Sequence, residues 1–138
     1  MNKIKGRIIG IESSKAMSLV RIGSGEDVFY SLILETPETA PHLKTGVIVD
    51  VVFKETEVAI GKDLSGLISL KNRIRSRVRL VEIDKILAKV VLDYNGQDIV
   101  SIITAGSAER LCLKEGDEVE WLVKSNEVSL LFGDMNGL

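Results

Sequence analysis

The sequence contains an internal repeat with a period of 70 residues. Residues 2–60 align without a gap with residues 72–130, and most aligned positions preserve either apolar or polar character. The identical pairs are Asn2/Asn72, Ile4/Ile74, Arg7/Arg77, Glu12/Glu82, Lys15/Lys85, Val20/Val90, Ser31/Ser101, Ile33/Ile103, Leu43/Leu113, Lys44/Lys114, Gly46/Gly116, Val49/Val119, Lys54/Lys124, Glu57/Glu127 and Val58/Val128. An ordered match of this length predicts a duplicated domain.

The two copies are separated by the segment 61–66, Gly-Lys-Asp-Leu-Ser-Gly. Two glycines among polar residues are typical of a short connector with little structure of its own. The sequence therefore predicts one domain at residues 1–62 and a second at residues 67–133.

The second copy shows the clearer pattern of secondary structure. Residues 95 and 96 are Asn-Gly, the dipeptide favoured by type I′ hairpin turns, and the segment after residue 104 is rich in Ala, Glu, Arg and Leu. The predicted elements are strands at 74–83, 86–94 and 98–104, one or two helical turns at 105–113, and strands at 117–124 and 127–132, the last two joined tightly at Ser125-Asn126.

Three strands, a short helix and two further strands form the order of a five-stranded barrel of the OB type. The first copy is predicted to repeat this order. The fold is therefore predicted to be all-β, with two tandem five-stranded OB-like barrels and one short helix between strands three and four of each. Such small barrels bury a marginal share of their surface, so a chain that is 45% hydrophobic is expected to form a homo-oligomer.

Composition argues against several classes of partner. Eighteen basic residues against 20 acidic ones give a net charge of −2, and six aromatics offer few stacking platforms, so nucleic acid is not favoured. Trp121 is interpreted as a core or subunit contact. The single cysteine, Cys112, indicates a reducing, cytoplasmic location. The N-terminus lacks the apolar core of a secretion signal, and no run approaches the ~18 apolar residues of a membrane span.

The sequence offers no catalytic constellation. His42 is the only histidine and has neither a nucleophile to activate nor a second metal ligand, which favours a surface histidine and a protein that is not an enzyme. The segment 23–25 lacks the Gly-Lys-Ser/Thr of a phosphate loop and is predicted to be a hairpin turn. Asp134 and Asn136 lack the calcium-loop pattern and are predicted to lie in a flexible tail.

The segment Thr104-Ala105-Gly106-Ser107 is the first candidate anion site. It opens the predicted helix, where unpaired backbone N–H groups face outward, Gly106 permits close approach and two hydroxyls add donors. The alternative is ordinary capping, because a Ser or Thr in this position caps the helix in most proteins. Both interpretations stay open on this segment alone.

Two further clusters mix cations with neutral donors. Lys124 is followed by Ser125 and Asn126, and Ser69-Leu70-Lys71-Asn72 precedes the first strand of the second copy. Taken separately, these are a solvated lysine and an ordinary linker. Together with the helix-opening segment they are rich in donors and poor in carboxylates, which suits a tetrahedral dianion held by hydrogen bonds.

These residues resemble the Mop domain, the molbindin or TOBE-type domain of cytoplasmic molybdate-binding proteins and of the molybdate-responsive transcription regulator. The resemblance covers nearly the whole chain as two copies. The family's Ser-Ala-Arg-Asn stands here as residues 69–72 with lysine in place of arginine. Its Ile-Thr-x-x-Ser stands at 103–107, its Leu-x-x-Gly at 113–116, and its last-turn lysine at Lys124 and Lys54.

The resemblance implies intracellular binding, storage or homeostasis of molybdate or tungstate, with the metal held as its oxyanion and no organic cofactor. It implies a trimer of six barrels, in which the last-turn lysines bind across a subunit interface. The implied ligand residues are Ser69, Lys71, Asn72, Thr104, Ala105, Gly106, Ser107, Lys124, Ser125 and Lys54. One alternative is a ligand-responsive regulatory or accessory module of a molybdate transport system, partnered by the transporter or by molybdenum cofactor machinery. A nucleic-acid-binding OB protein with a vestigial site is another.

The two copies are predicted to contribute unequally. Copy one has Leu34-Glu35-Thr36-Pro37 in place of Thr-x-x-Ser, and the carboxylate of Glu35 would repel an anion. Copy one is expected to help through Lys54, and Lys124→Ala is predicted to weaken binding more than Lys54→Ala. Lysine at position 71 supplies a point charge where arginine would supply a two-pronged fork, which predicts lower affinity or altered selectivity.

Overall fold

The computed structural model describes residues 1–132, which are mostly β-strand. The strands are β1 (Asn2–Ser14), β2 (Met17–Ser24), β3 (Asp27–Ile33), β4 (Ile48–Phe53), β5 (Ala59–Gly61), β6 (Asn72–Ile83), β7 (Leu87–Tyr94), β8 (Gln97–Thr104), β9 (Glu118–Val123) and β10 (Ser129–Leu131). The helix α1 spans Ala105–Arg110, and single 3-10 turns lie at Glu55–Glu57 and Ser125–Glu127. The predicted all-β architecture is confirmed.

The long first strand of each copy shows why the chain forms strands. Along β1, Ile4 and Ile8 are buried, whereas the alternating Lys3, Lys5 and Arg7 are exposed. The same alternation occupies the first half of β6. Successive side chains of a strand point to opposite faces of the sheet. A two-residue alternation therefore buries the apolar side chains of one face in the core and leaves the basic side chains of the other face exposed.

The chain divides into two compact units that exchange segments. Among the described residues, unit 1 contains Met1, residues 3–53 and residues 124–132, and its sheet has the strand order β10-β4-β1-β2-β3. Unit 2 contains residues 54–123 together with Asn2, and its sheet has the order β5-β9-β6-β7-β8. Each unit therefore takes its fifth strand from the other sequence copy, which differs from the predicted domains at 1–62 and 67–133.

The repeat itself explains how this exchange is accommodated. In unit 1 the buried hydroxyl of Ser31 donates to the carbonyl of Val128 at 2.6 Å, and in unit 2 that of Ser101 donates to the carbonyl of Val58 at 2.7 Å. These residues are identical between the copies. Either fifth segment therefore offers the same acceptor to either barrel, so local pattern does not specify which one docks.

The predicted helix is present in copy two and absent from copy one. Residues 34–47 form turns and irregular backbone, and the prediction of a helix in each barrel is wrong for unit 1. In α1 the N–H of Leu111 donates to the carbonyl of Ser107 at 3.0 Å, whereas the counterpart of Leu111 in copy one is Pro41, which has no N–H. In copy two α1 ends at Arg110, short of the predicted residue 113, and Cys112 has a positive φ of 51°.

The core of unit 2 is centred on Trp121, which is fully buried. Its indole N–H donates to the hydroxyl of Ser76 at 2.9 Å, and its ring meets that of Tyr94 edge-on at 5.8 Å between centroids. Trp121 is therefore a core residue, as one of its two interpretations predicted. Asn95 and Gly96 both have positive φ, which confirms the predicted hairpin turn.

Two other interpretations from the sequence are settled in unit 1. The predicted hairpin turn is present between β2 and β3, but it lies at Gly25-Glu26, with Gly25 at a φ of 60°, because Gly23 and Ser24 still belong to β2. His42 is half-buried and not a free surface side chain, because its ring packs against that of Phe132 at 4.5 Å between centroids. Asp134 and Asn136 lie outside the described residues.

Candidate anion-binding site

The segment that opens α1 is capped by its own hydroxyls. Thr104 ends β8, and its Oγ1 accepts a hydrogen bond from the N–H of Ser107 at 3.1 Å. The hydroxyl of Thr104 donates to Oγ of Ser107 at 2.9 Å. The capping interpretation is therefore confirmed for Thr104. Since α1 has six residues, any anion binding here depends on individual donors and not on a helix dipole.

Some hydrogen-bond donors of the segment 104–107 are already used within the fold, whereas others remain open. The N–H of Ala105 donates to the carbonyl of Ile86 at 2.7 Å, and Ala105 is 7% exposed. The expectation that the N–H groups of Ala105 and Ser107 are unpaired is thus wrong, because the β6–β7 hairpin and the threonine cap use them. Gly106 is exposed, and within residues 1–132 its N–H has no hydrogen-bond partner.

Gly106 has open space on the side where a side chain would project. Within residues 1–132, a Cβ atom built there would meet no heavy atom within 4 Å outside its chain neighbours and its own helix. Beside it, the hydroxyl of Ser107 accepts from Thr104, which leaves its own hydrogen available to donate. An open N–H and an adjacent hydroxyl are the groups of this segment that can bind an anion.

The cluster at residues 69–72 lies at the other end of the sheet. Asn72 begins β6 opposite Val123, whereas Thr104 ends β8 opposite Leu87, which lies beside the far end of β6. Ser69 and Lys71 are exposed, but Asn72 is 1% exposed. All buried side-chain N and O atoms of the described chain have hydrogen-bond partners, so the amide of Asn72 is engaged within the fold.

The two last-turn lysines lie in different units. Lys54 and Lys124 are both exposed, and each immediately precedes a 3-10 turn. Lys54 belongs to unit 2, whereas Lys124 and the half-buried Ser125 belong to unit 1. The segment 104–107 therefore shares its compact unit with the lysine of copy one, which sequence position alone did not indicate.

The structure also reveals polar contacts that sequence reasoning missed. The ammonium of Lys62 donates to the carbonyls of Leu111 and Cys112 and to Oδ2 of Asp117, each at 3.1 Å. Lys62 thus ties the segment 61–66 to unit 2, although residues 62–66 form only bends and irregular backbone, as predicted for a connector. The only sequence signal was a difference between copies, because the residue 70 positions after Lys62 is Phe132.

The carboxylates of Asp117 and Glu120 in unit 2 have lowered pKa values. The pKa of Asp117 is lowered first by its hydrogen bond from Lys62 and next by the backbone N–H of Lys114. The pKa of Glu120 is lowered mainly by Arg73, whose guanidinium donates to both carboxylate oxygens at 2.7 and 3.0 Å. Both pairs stabilise the charged form of a residue outside the predicted ligand set.

The corresponding region of unit 1 has a different chemistry. An open cleft there is lined by Lys15, Ala16, Leu34, Glu35, Thr36, Glu38 and Thr39. The backbone N–H of Thr36 is occupied by the hydroxyl of Thr39 at 3.0 Å. Two carboxylates in the lining oppose the binding of an anion.

Two other kinds of functional feature are absent from residues 1–132. No group of three or more His, Cys, Asp and Glu side chains there is arranged to hold a metal ion. The helical content of the same residues includes no segment long and apolar enough to cross a membrane.

Comparisons with known proteins identify relatives of both copies. The family model described as the TOBE domain matches residues 68–130. Molybdenum-pterin-binding protein 3 of Clostridium pasteurianum is 38% identical over 65 residues, 46% of this chain and 96% of that protein. Molybdenum-pterin-binding protein MopB of Rhodobacter capsulatus is 32% identical over 125 residues, 88% of this chain but 46% of MopB.

A solved structure resembles nearly the full chain. The cytoplasmic molybdate-binding protein ModG, in a crystal form with molybdate bound, superposes with a TM-score of 0.87 at 27% sequence identity, and the match covers 94% of each chain. The tandem arrangement of two OB-like barrels is therefore shared with a solved protein.

Proposed function

Because the chain belongs to the family of molybdenum-pterin-binding proteins that carry the TOBE domain, we propose that it binds molybdate, or its close analogue tungstate, as a free oxyanion. The names of its relatives and the ligand of the ModG crystal support this ligand class. The same relatives are binding proteins, which supports a role in storage or homeostasis and not in catalysis. We place this role in the cytoplasm, the location given for ModG.

The observation that carries the proposal is the open donor pair at Gly106 and Ser107. A tetrahedral dianion presents acceptor oxygens only, so it is bound by N–H and O–H groups and repelled by carboxylates. Residues 104–108 contain no carboxylate, and no other part of residues 1–132 comes within 4 Å of the position that a Cβ atom of Gly106 would occupy. Hydrogen bonds to a charged acceptor are roughly twice as strong as neutral ones, which makes two open donors an effective start of a site.

The remaining predicted ligand residues lie at different ends of the sheet of unit 2 or in different compact units. Ser69 and Lys71 supply exposed donors at the opposite end of β6, and buried Asn72 holds the start of that strand. Lys54 supplies a cation to unit 2, while Lys124 supplies a cation and Ser125 a hydroxyl to unit 1. No single end of one barrel therefore contains all the donors. We propose that self-association, a trimer by family resemblance, brings separate half-sites together.

Calorimetric titration tests the proposed function directly. Molybdate and tungstate are expected to bind, with sulfate and phosphate as competing oxyanions, and Ser107→Ala is expected to weaken molybdate binding because it removes a donor. Thr39→Ala, which removes a hydroxyl from the cleft of unit 1, is the matched control and should leave the affinity unchanged. Absence of heat with all four anions would overturn the proposal.

A further inference from the structure

Lys62 occupies an unusual position just after β5. Its ammonium uses three donors on three acceptors, the carbonyls of Leu111 and Cys112 and the carboxylate of Asp117, each at 3.1 Å. A lysine has three N–H donors, so this set fixes the orientation of the whole group. The side chains of Lys62 and Asp117 are only 23% and 16% exposed, which limits competition from water.

A short hydrogen-bonded route connects Lys62 to the open donor pair. The carbonyl of Leu111 accepts from Lys62, and the N–H of the same residue donates to the carbonyl of Ser107 at 3.0 Å. At the other end of α1, the N–H of Ala105 is held by Ile86. Because α1 has only six residues, fixing both ends leaves Gly106 and Ser107 little freedom to rotate.

The acceptor side of this clamp is anchored to the sheet. Asp117 accepts from the N–H of Lys114 at 3.0 Å through the same carboxylate oxygen that binds Lys62. The carbonyl of Asp117 accepts from the N–H of Val78 at 2.8 Å, and the carbonyl of Val78 accepts from Gly116 at 2.8 Å. The C-terminal end of α1 is therefore held in place by hydrogen bonds that lead to β6, and not by contacts with a free loop.

Unit 1 shows what replaces the clamp where the donor pair is missing. Phe132, the counterpart of Lys62 at the 70-residue offset, packs edge-on against His42, the counterpart of Cys112. Pro41, the counterpart of Leu111, has no N–H to continue the route. The clamp and the donor pair occur in the same unit.

We propose that Lys62 is a positioning residue for oxyanion binding, acting through Leu111 on Ser107 without touching the ligand. This inference rests on the proposed binding of molybdate. Around metal sites, removal of a group that orients a ligand residue typically weakens binding about 10–100-fold, and we apply the same scale to this oxyanion site. Lys62→Met keeps much of the side-chain length and removes all three donors, so it is expected to weaken molybdate binding by about tenfold or more.

Matched variants separate positioning from folding. Lys62→Arg keeps several hydrogen-bond donors and is expected to recover most of the molybdate affinity. Phe132→Leu alters the equivalent contact of unit 1 and should leave the molybdate affinity unchanged. Amide hydrogen exchange at Leu111 and Cys112 is expected to accelerate in Lys62→Met while exchange in β7 is unchanged. If Lys62→Met fails to fold, Asp117→Asn weakens the same clamp from its other side and takes its place in the titration.

The outcomes distinguish the two proposals. Wild-type affinity in folded Lys62→Met, or in folded Asp117→Asn where that variant takes its place, would overturn the positioning role. Equal losses in Lys62→Met and Lys62→Arg would also overturn it. A wild-type protein that binds no molybdate would instead refute the proposed function on which this inference rests.

Discussion

The buried hydroxyl of Ser101 on β8 donates a hydrogen bond of 2.7 Å to the carbonyl of Val58, a residue from the other sequence copy. Val58 lies between the turn that follows Lys54 and strand β5, which pairs with β9 at Ile60 and Trp121. This side-chain hydrogen bond thus anchors the segment exchanged from copy one to unit 2, the barrel that contains the donor pair of Gly106 and Ser107. The contact of Ser31 with Val128 has the same role in unit 1.

Removal of this contact is expected to destabilise the fold. Ser101→Ala leaves the buried carbonyl of Val58 without its side-chain donor, so we expect a loss of about 1–3 kcal/mol in the free energy of unfolding. Chemical denaturation measures this quantity, and Ser31→Ala should give a similar loss. Ser129→Ala, at an exposed position of β10, is the control and should change stability by less than about 0.5 kcal/mol. Equal stability of all three variants would contradict the anchoring role.

Gly106→Ala is expected to separate binding from stability. The new methyl group meets no atom within 4 Å and the position does not require a positive φ, so the fold is not strained. Alanine favours a helix over glycine by up to about 1 kcal/mol, which predicts unchanged or raised thermal stability. The same methyl group blocks the approach of an oxyanion to the Gly106 N–H, and titration should show weaker molybdate binding. Unchanged affinity would remove Gly106 from the site.

The segment exchange reverses the expected order of the two lysine effects. Lys54, and not Lys124, belongs to the unit that contains Gly106 and Ser107. We therefore expect Lys54→Ala to weaken molybdate binding more than Lys124→Ala, since loss of a cation from the same unit reduces the attraction for the dianion. Parallel titrations at one salt concentration measure the difference. The opposite order would support the assignment made from the repeat alone.

The hydrogen bond between Trp121 and Ser76 is expected to contribute measurably to the stability of unit 2. Trp121→Phe removes the indole N–H from a fully buried site, and we expect a loss of roughly 1–3 kcal/mol. A double-mutant cycle with Ser76→Ala isolates this contact, and denaturation followed by circular dichroism supplies the four values. Strictly additive losses would show that the two side chains are not energetically coupled.

The pairing of Arg73 with Glu120 predicts an acid-sensitive component of stability. The pKa of Glu120 lies below its ordinary value of 4.5 because of hydrogen bonds from Arg73. The pairing therefore stabilises the fold at a pH above the pKa that Glu120 has in the unfolded chain. This contribution disappears as the pH falls through the lower pKa that Glu120 has in the folded protein. Glu120→Gln should lower stability at neutral pH and flatten its decline below about pH 4.5. Glu115→Gln, at an exposed position, is the control, and an unchanged pH profile in Glu120→Gln would contradict the effect.

Much of each barrel was predictable because its determinants are local. The alternation of Ile4 and Ile8 with basic residues marks a strand with one buried face, and Asn95-Gly96 supplies the positive φ values of a tight hairpin. The missing helix of copy one was also visible in principle. Leu34 and Pro37 stand where Thr104 and Ser107 form the cap of α1, so copy one lacks both the hydroxyl acceptor and the N–H donor of that cap, but the repeat led to a prediction of equivalence.

The candidate site was less predictable because its donors depend on contacts from distant segments. Nothing local to Ala105 indicates that its N–H is taken by Ile86, or that Lys62 reaches Leu111 across 49 positions of sequence. Residues 69–72 and 104–107 both adjoin strand ends, yet the register of β6, β7 and β8 places them at opposite ends of the sheet.

The sequence by itself determined the duplication, the strand-rich barrels and the segments that contain donors and cations, because periodicity, turn residues and side-chain chemistry are properties of short stretches. Only the tertiary structure decided which fifth strand completes each barrel, and hence which lysine accompanies Gly106 and Ser107. The physical reason is that both copies present the same serine anchor and the same valine carbonyl, at Ser31 and Ser101 and at Val58 and Val128. Because either valine carbonyl can accept from either serine, the packing of the whole chain decides which serine and which valine pair.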